Sequence, residues 1–205
     1  SVGTTRPETI FGDSGIAIHP KNKKLNHLIG KKALIPILNK RIPIFADEYA
    51  DPEKGSGAVK ITPAHDFNDY EIGKKHDLEF VNILDKTASL NKNTPKEYQG
   101  LNRFVARKKL ISELKKNNKI LKIVNNKMFL PIGDRSDEII EPLLTFQWFL
   151  DTKKISNKVK KAIKEKKIVF HPNSWINTFK YWIDNIEPWC ISRQIWWGHR
   201  IPIWY

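Results

Sequence analysis

The run from Gly55 to Tyr70 constrains the fold more than any other part of this sequence. Gly55-Ser56-Gly57 is a turn signal, and Ala58-Val59-Lys60-Ile61-Thr62 follows it with strand-like alternation. Successive side chains on a strand point to opposite faces. Val59 and Ile61 therefore belong to a core, while Ala58, Lys60 and Thr62 share the other face. That second face carries an ammonium and a hydroxyl about 7 Å apart along the strand. Pro63 ends the strand, and Asp66 stands where a helix cap belongs, before a helix expected over Phe67 to Lys75. Asp69 is three residues on, as in a capping box, and both carboxylates lie at the positive end of the helix dipole. Capping alone accounts for Asp66. The four groups Lys60, Thr62, Asp66 and Asp69 together also suit the binding of a small polar substrate, in which one carboxylate holds an ammonium while the others bond a hydroxyl.

The rest of the first half reads as short strands and turns. Ile16 to Ile18, Ala33 to Leu38 and Ile42 to Phe45 are β-rich runs, the first entered through Gly12-Asp13-Ser14-Gly15. Residues 103–117 fit a helix with Phe104, Ile111 and Leu114 as its inner stripe. Lys119 to Val124 and Lys127 to Leu130 read as a hairpin across Asn125-Asn126. A change of character near Pro131 to Asp134 divides the chain into segments 1–135 and 136–205. In the second segment Asp151 or Thr152 is placed to cap a helix reaching about Lys167, with Ile155, Val159 and Ile163 as its stripe. Another helix follows Pro172, with Trp175, Phe179, Trp182 and Ile186 on one side. Six of the seven Trp fall in residues 175–204, which reads as core or as an interdomain contact.

Composition sets outer bounds. The chain has 205 residues, 40% of them hydrophobic, so a packed core is within reach. One cysteine, Cys190, excludes an internal disulfide and makes a Cys-built metal site improbable. No run approaches the roughly 20 apolar residues that span a bilayer, and the start has no signal-peptide character. It also lacks Met, so the sequence reads as part of a longer, cytoplasmic protein. The net charge of +14 favours a polyanion, although 29 of the 36 basic residues are Lys, which also fits a solvated surface in a Lys-rich composition.

Thr4-Thr5-Arg6-Pro7-Glu8-Thr9 is a second polar cluster, in which Pro7 pushes Arg6 towards extended geometry. Alone it is a weak signal. The histidines His19, His65 and His76 have no standard ligand spacing, and Gly55 to Gly57 fits neither phosphate-loop fingerprint.

The Thr4–Thr9 run, the Gly55–Tyr70 run and the run Glu187-Pro188-Trp189-Cys190-Ile191-Ser192-Arg193-Gln194-Ile195-Trp196-Trp197-Gly198-His199-Arg200-Ile201-Pro202 closely resemble, in order, the valyl-tRNA synthetase family of class I enzymes. The resemblance covers essentially the whole chain. It implies an α+β fold: an editing-domain β-barrel with peripheral helices over residues 1–135, then a helical Trp-rich segment of an incomplete Rossmann-type catalytic domain. It implies hydrolysis of threonyl-tRNA(Val), with Asp69 on the substrate ammonium. Lys60, Thr62 and Asp66 surround the threonine hydroxyl and the attacking water. Arg6 and Thr9, with Thr4 and Thr5, line the opposite wall towards the terminal adenosine. Partners are the tRNA(Val) acceptor end, threonine and the remainder of the synthetase chain, with no membrane. Editing needs no cofactor. ATP and Mg serve the full-length enzyme, whose HIGH and KMSKS motifs are missing here; His27-Leu28-Ile29-Gly30 only echoes the first and reads as core and turn. One departure stands out: Lys54 occupies a position where the family often has an aromatic residue. It favours an alternative, a tRNA-binding module with impaired chemistry.

Overall fold

The computed structural model describes residues 1–204. They form two compact units, 1–144 and 145–204, in a mixed α+β arrangement.

The first unit is built on four short strands: β1 (Gly15–Ile18), β2 (Lys32–Leu34), β3 (Arg41–Ala46) and β4 (Ala58–Ile61). Their order is β2-β3-β1-β4; β1 runs parallel to β3 and antiparallel to β4. The ladder is open, with β2 and β4 at its edges, so a closed barrel is not what these described strands make. The predicted strand Ala33 to Leu38 stops at Leu34, because Ile37 and Asn39 turn with positive φ and close a tight loop. Gly57 leads into β4 with φ +73°, and a side chain there would meet Asn22 and Pro52.

The register puts Ile61 opposite Gly15 and Lys60 opposite Ile16. Ile61 is fully buried with Ala17, Ala50 and Leu78, as the alternation requires. Helix α1 (Phe67–Lys75) begins immediately after the Pro63 turn. Gly73 lets it lie directly on the Pro63 ring, where an added Cβ would approach to 2.7 Å. This close packing fixes α1 against the end of β4.

Helix α2 (Arg103–Lys116) closes the other side of the unit. Its buried face is Arg103, Ala106, Leu110 and Leu114, packed with Phe11, Ile83, Leu84, Leu90 and Tyr98. Phe104 instead faces outward under the guanidinium groups of Arg103 and Arg107, and Ile111 is only half-buried. Of the predicted stripe only Leu114 is buried: Arg103 takes an inner place beside Glu141, and half-buried Arg107 turns to Glu8. Arg107 grips Glu8 through two bonds of 2.6 Å, and Glu8 is 1% exposed. This bidentate pair ties α2 to the 3-10 turn Pro7–Gly12. The predicted hairpin at 119–130 does not form: the segment has no strand and its residues are exposed apart from half-buried Ile120. Asn125-Asn126 lacks the glycine that a two-residue hairpin turn favours. Leu28 and Ile29 are half-buried rather than core. Residues 136–144 join this first unit, anchored by Glu141.

The second unit holds β5 (Phe149–Leu150), α3 (Thr152–Lys164), α4 (Trp175–Asp184) and β6 (Trp189–Cys190), with β5 and β6 antiparallel. Neither Asp151 nor Thr152 caps α3 by its side chain; the Thr152 hydroxyl donates to the Glu187 carbonyl at 2.6 Å. Ile163 is buried, Val159 half-buried and Ile155 exposed, while Ser156 takes the inner place expected of Ile155. On α4, Ile176, Phe179 and Ile183 are half-buried, whereas Trp175 and Trp182 are exposed. Trp189, Trp196, Trp197 and Trp204 are exposed as well. Among the described residues no helix is long and apolar enough to cross a membrane.

Candidate active site

The Lys60 side chain, 12% exposed, leaves the face of β4 opposite Ile61 and reaches the turn before β1. Its Nζ lies 3.0 Å from Thr9 Oγ1, 2.8 Å from Asp13 Oδ1 and 2.5 Å from Thr62 Oγ1. The hydroxyl directions are settled by their other partners. Thr62 Oγ1 donates to Asp13 at 2.7 Å, and Thr9 Oγ1 donates to the Arg6 carbonyl at 2.9 Å. Both hydroxyls therefore accept from Lys60, whose three N–H bonds are all engaged.

Asp69 completes the cluster from α1. Its Oδ2 accepts the Thr62 backbone N–H at 2.8 Å, a donor the sheet leaves unpaired where β4 ends. The capping box is only half made: Asp66 Oδ1 accepts from the Asn68 and Asp69 N–H groups at 2.8 and 3.1 Å, but Asp69 turns to Thr62 instead of back to Asp66. Asp69 is 6% exposed. Burial pushes its carboxyl up to about 6; Asp66 and Asp13 add to the rise, while the Thr62 N–H and Lys60 oppose it. Burial also raises Asp13, against the pull of Lys60 and Thr62.

Thr9, Lys60, Thr62 and Asp69 thus meet in one cluster. Asp66 stands at its rim, exposed. Arg6 points away from a free role: one guanidinium nitrogen donates to the His65 carbonyl at 2.8 Å, and the other pairs with Glu141. Thr4 and Thr5 are exposed, and Thr4 Oγ1 accepts the Arg6 backbone N–H at 3.0 Å. Lys54 is also exposed and lies 3.5 Å from Asp51. His65 is 1% exposed and structural: its Nε2 accepts the Ile83 N–H at 3.0 Å, and burial with the nearby Arg6 and Lys60 charges lowers it to about 4, so the ring is neutral.

Sequence reasoning missed Asp13, the carboxylate that holds Lys60, by reading it as part of a turn. It also missed Tyr49, in the loop after β3, whose phenol is held above its ordinary range by burial and by the nearby Asp69 and Asp66 carboxylates. The only signal for Asp13 was a carboxylate following the Thr-rich run at a spacing that a short helical turn folds back.

The family model for class I tRNA synthetases (I, L, M and V) matches residues 18–205. The chain belongs to the class I tRNA synthetases. Relatives of this synthetase segment include the valine–tRNA ligase of Pelagibacter ubique, 55% identical over all 205 residues, and that of Legionella pneumophila strain Paris, 52% identical over 204. The segment spans 23% and 22% of those curated relatives. Among solved structures, GlLeuRS-CP1 aligns with a TM-score of 0.49 at 12% identity, over 63% of this chain and 83% of that one. Both alignments run over the whole segment and so include the stretch that carries the Lys60 cluster.

Proposed function

We propose that this segment edits within a valine–tRNA ligase, hydrolysing the ester of threonyl-tRNA(Val) and sparing valyl-tRNA(Val). The observation that carries this reading is a buried ammonium, Lys60, wired to two threonine hydroxyls and a carboxylate beside Asp69, in a chain whose relatives are valine–tRNA ligases. A pocket shaped for valine discriminates poorly against threonine, by only about 10²-fold, because the two are nearly isosteric. A second site that bonds the threonine hydroxyl rejects valine, which leaves those polar groups unpaired at about 1–3 kcal/mol each.

In this reading Asp69 receives the α-ammonium. Lys60 keeps the Thr62 hydroxyl and Asp13 in place, so that Thr62, Lys60 and Asp66 frame the threonine hydroxyl and the attacking water. No strong general base is required: water positioned by the cluster attacks the ester carbonyl, with the Lys60 charge nearby to favour the negative charge that develops. Thr9 lines the wall by its bond to Lys60. Thr4, Thr5 and Arg6 lead towards the terminal adenosine of the tRNA acceptor end. The closing of the sheet into an editing barrel, the domain assignment 1–135 and 136–205, the Rossmann-type character of the second segment and a cytoplasmic location belong to the same proposal. So does the remainder of the ligase chain as the cover for the exposed tryptophans, and ATP with Mg as reagents of the whole ligase rather than of this segment.

The deciding experiment offers both mischarged and correctly charged tRNA(Val) to the protein. Threonyl-tRNA(Val) should lose its amino acid at least about tenfold faster than valyl-tRNA(Val), the ratio expected from one or two unpaired polar groups. Equal rates would overturn the reading. A second reading, RNA binding with impaired hydrolysis, is favoured by the exposed, Asp51-facing Lys54, which offers no stacking surface. Tight tRNA binding without turnover would select it. Asp66 is separable in the same assay. Asp66→Asn should keep the cap and the melting temperature while slowing deacylation; Asp66→Ala should slow it and also cost about 1 kcal/mol of stability.

A further inference from the structure

The proposed chemistry leaves Glu141 unused, yet it is among the most tightly engaged acids of the first unit. Its side chain is 13% exposed and sits between two guanidinium groups. Oε2 pairs with Arg6, and Oε1 lies 3.0 Å from Arg103 Nε. Arg103, 7% exposed on the buried face of α2, meets Glu141 as an ion pair rather than a hydrogen bond, and is fixed by its bond to the Ile139 carbonyl at 3.2 Å. It is the fixed post of the arrangement. Arg6 is the link: its other terminal nitrogen donates at 2.8 Å to the carbonyl of His65, the residue immediately before the α1 cap.

A guanidinium committed to a carboxylate and a carbonyl is not a free cation for a phosphate. It is a brace whose fork geometry fixes both ends. Its far end is the turn from Pro63 to Asp66, which sets Asp69 against the Thr62 N–H. We propose that Glu141 is a positioning residue of the hydrolytic site: by holding Arg6 it holds the His65 carbonyl, and through it the alignment of Asp69 with Thr62. This rests on the editing reading for its catalytic consequence, but the mechanical link stands on contacts alone. Glu141 lies outside all three sequence runs that marked the site.

The test uses the full-length protein with Glu141→Gln, Arg6→Lys and the double substitution. Glu141→Gln should lower kcat for threonyl-tRNA(Val) deacylation about tenfold with KM within about twofold, since small misplacements at a reacting centre act on kcat. The double variant should be no slower than Arg6→Lys alone, because both break one brace. Independently of turnover, amide hydrogen exchange at Thr62 and Asp69 should quicken in Glu141→Gln. Arg6→Lys, which breaks the brace from the other end, must reproduce that change, and it serves as the test should Glu141→Gln melt early. Unchanged exchange in both single variants overturns the proposal whether or not the parent deacylates. An effect confined to KM, or additive losses in the double variant, overturns it too. A parent protein that does not deacylate threonyl-tRNA(Val) defeats the editing reading instead, and the exchange measurement then decides the brace by itself.

Discussion

Replacing Asp69 by Asn should cut deacylation of threonyl-tRNA(Val) about 100-fold or more and leave the fold at least as stable at neutral pH. The loss follows from charge: an amide oxygen can still accept the Thr62 N–H, but it cannot pair with a substrate ammonium. The stability effect follows from the carboxyl pushed up to about 6 from 3.8 by burial. Between those two values the folded state binds more protons than the unfolded one. Stability therefore falls as pH rises through that window and stays lower above it, by on the order of 2–3 kcal/mol. Asn removes that decline. The parent's activity should rise as pH passes about 6 and Asp69 ionises. It should weaken above about 8, where the substrate's α-amino group loses its proton. Melting at pH 5 and 7.5, together with a pH–rate profile, checks both limbs. A variant that edits at the parent rate, or a profile flat between pH 5 and 7, would sink the role given to Asp69. Alanine is the poorer probe, because it also strands the Thr62 N–H.

Lys60→Met should be the most destabilising substitution in the site. It leaves Asp13, 5% exposed in its side chain, with no countercharge 2.8 Å away. Breaking one half of such a buried pair costs about 3–5 kcal/mol. The double substitution Lys60→Met and Asp13→Asn removes the stranded charge and should recover most of that stability without recovering any deacylation. Chemical denaturation of the parent, the single and the double variant measures the loss and its recovery. Should the single variant prove as stable as the parent, or the double no better than the single, the ion pair is not what holds β4 to the turn before β1.

The part of the site legible in the sequence was the part coded locally. Gly57, the alternation over 58–62, Pro63 and the Asp66 cap each act on their immediate neighbours, so β4 and α1 came out with nearly their observed ends. What was not legible depends on partners far along the chain. Lys60 and Asp13 are 47 positions apart, Arg107 and Glu8 are 99, and Arg6 and Glu141 are 135. No spacing rule links such residues; only the fold brings them together. The same pairs explain the misread α2. A hydrophobicity pattern cannot place Arg103 inside, because it is Glu141, beyond the helix, that makes its burial tolerable. In the second segment the periodicity of Trp175, Phe179, Trp182 and Ile186 reads equally as core or as an interdomain contact, and periodicity alone does not separate the two; Trp175 and Trp182 are exposed within their own unit.

The bonding of Lys60 has a protective side. An amine next to an amino acid ester is itself a nucleophile, and a free lysine lone pair in that place would take the acyl group onto the protein. Here the Thr9 and Thr62 hydroxyls spend their own protons elsewhere and face Lys60 only as acceptors, with Asp13 as the third. The nitrogen is thereby left with donors alone and no electron pair to offer. On the editing reading, the site would keep a cation within reach of a reactive carbonyl without exposing the protein to acylation.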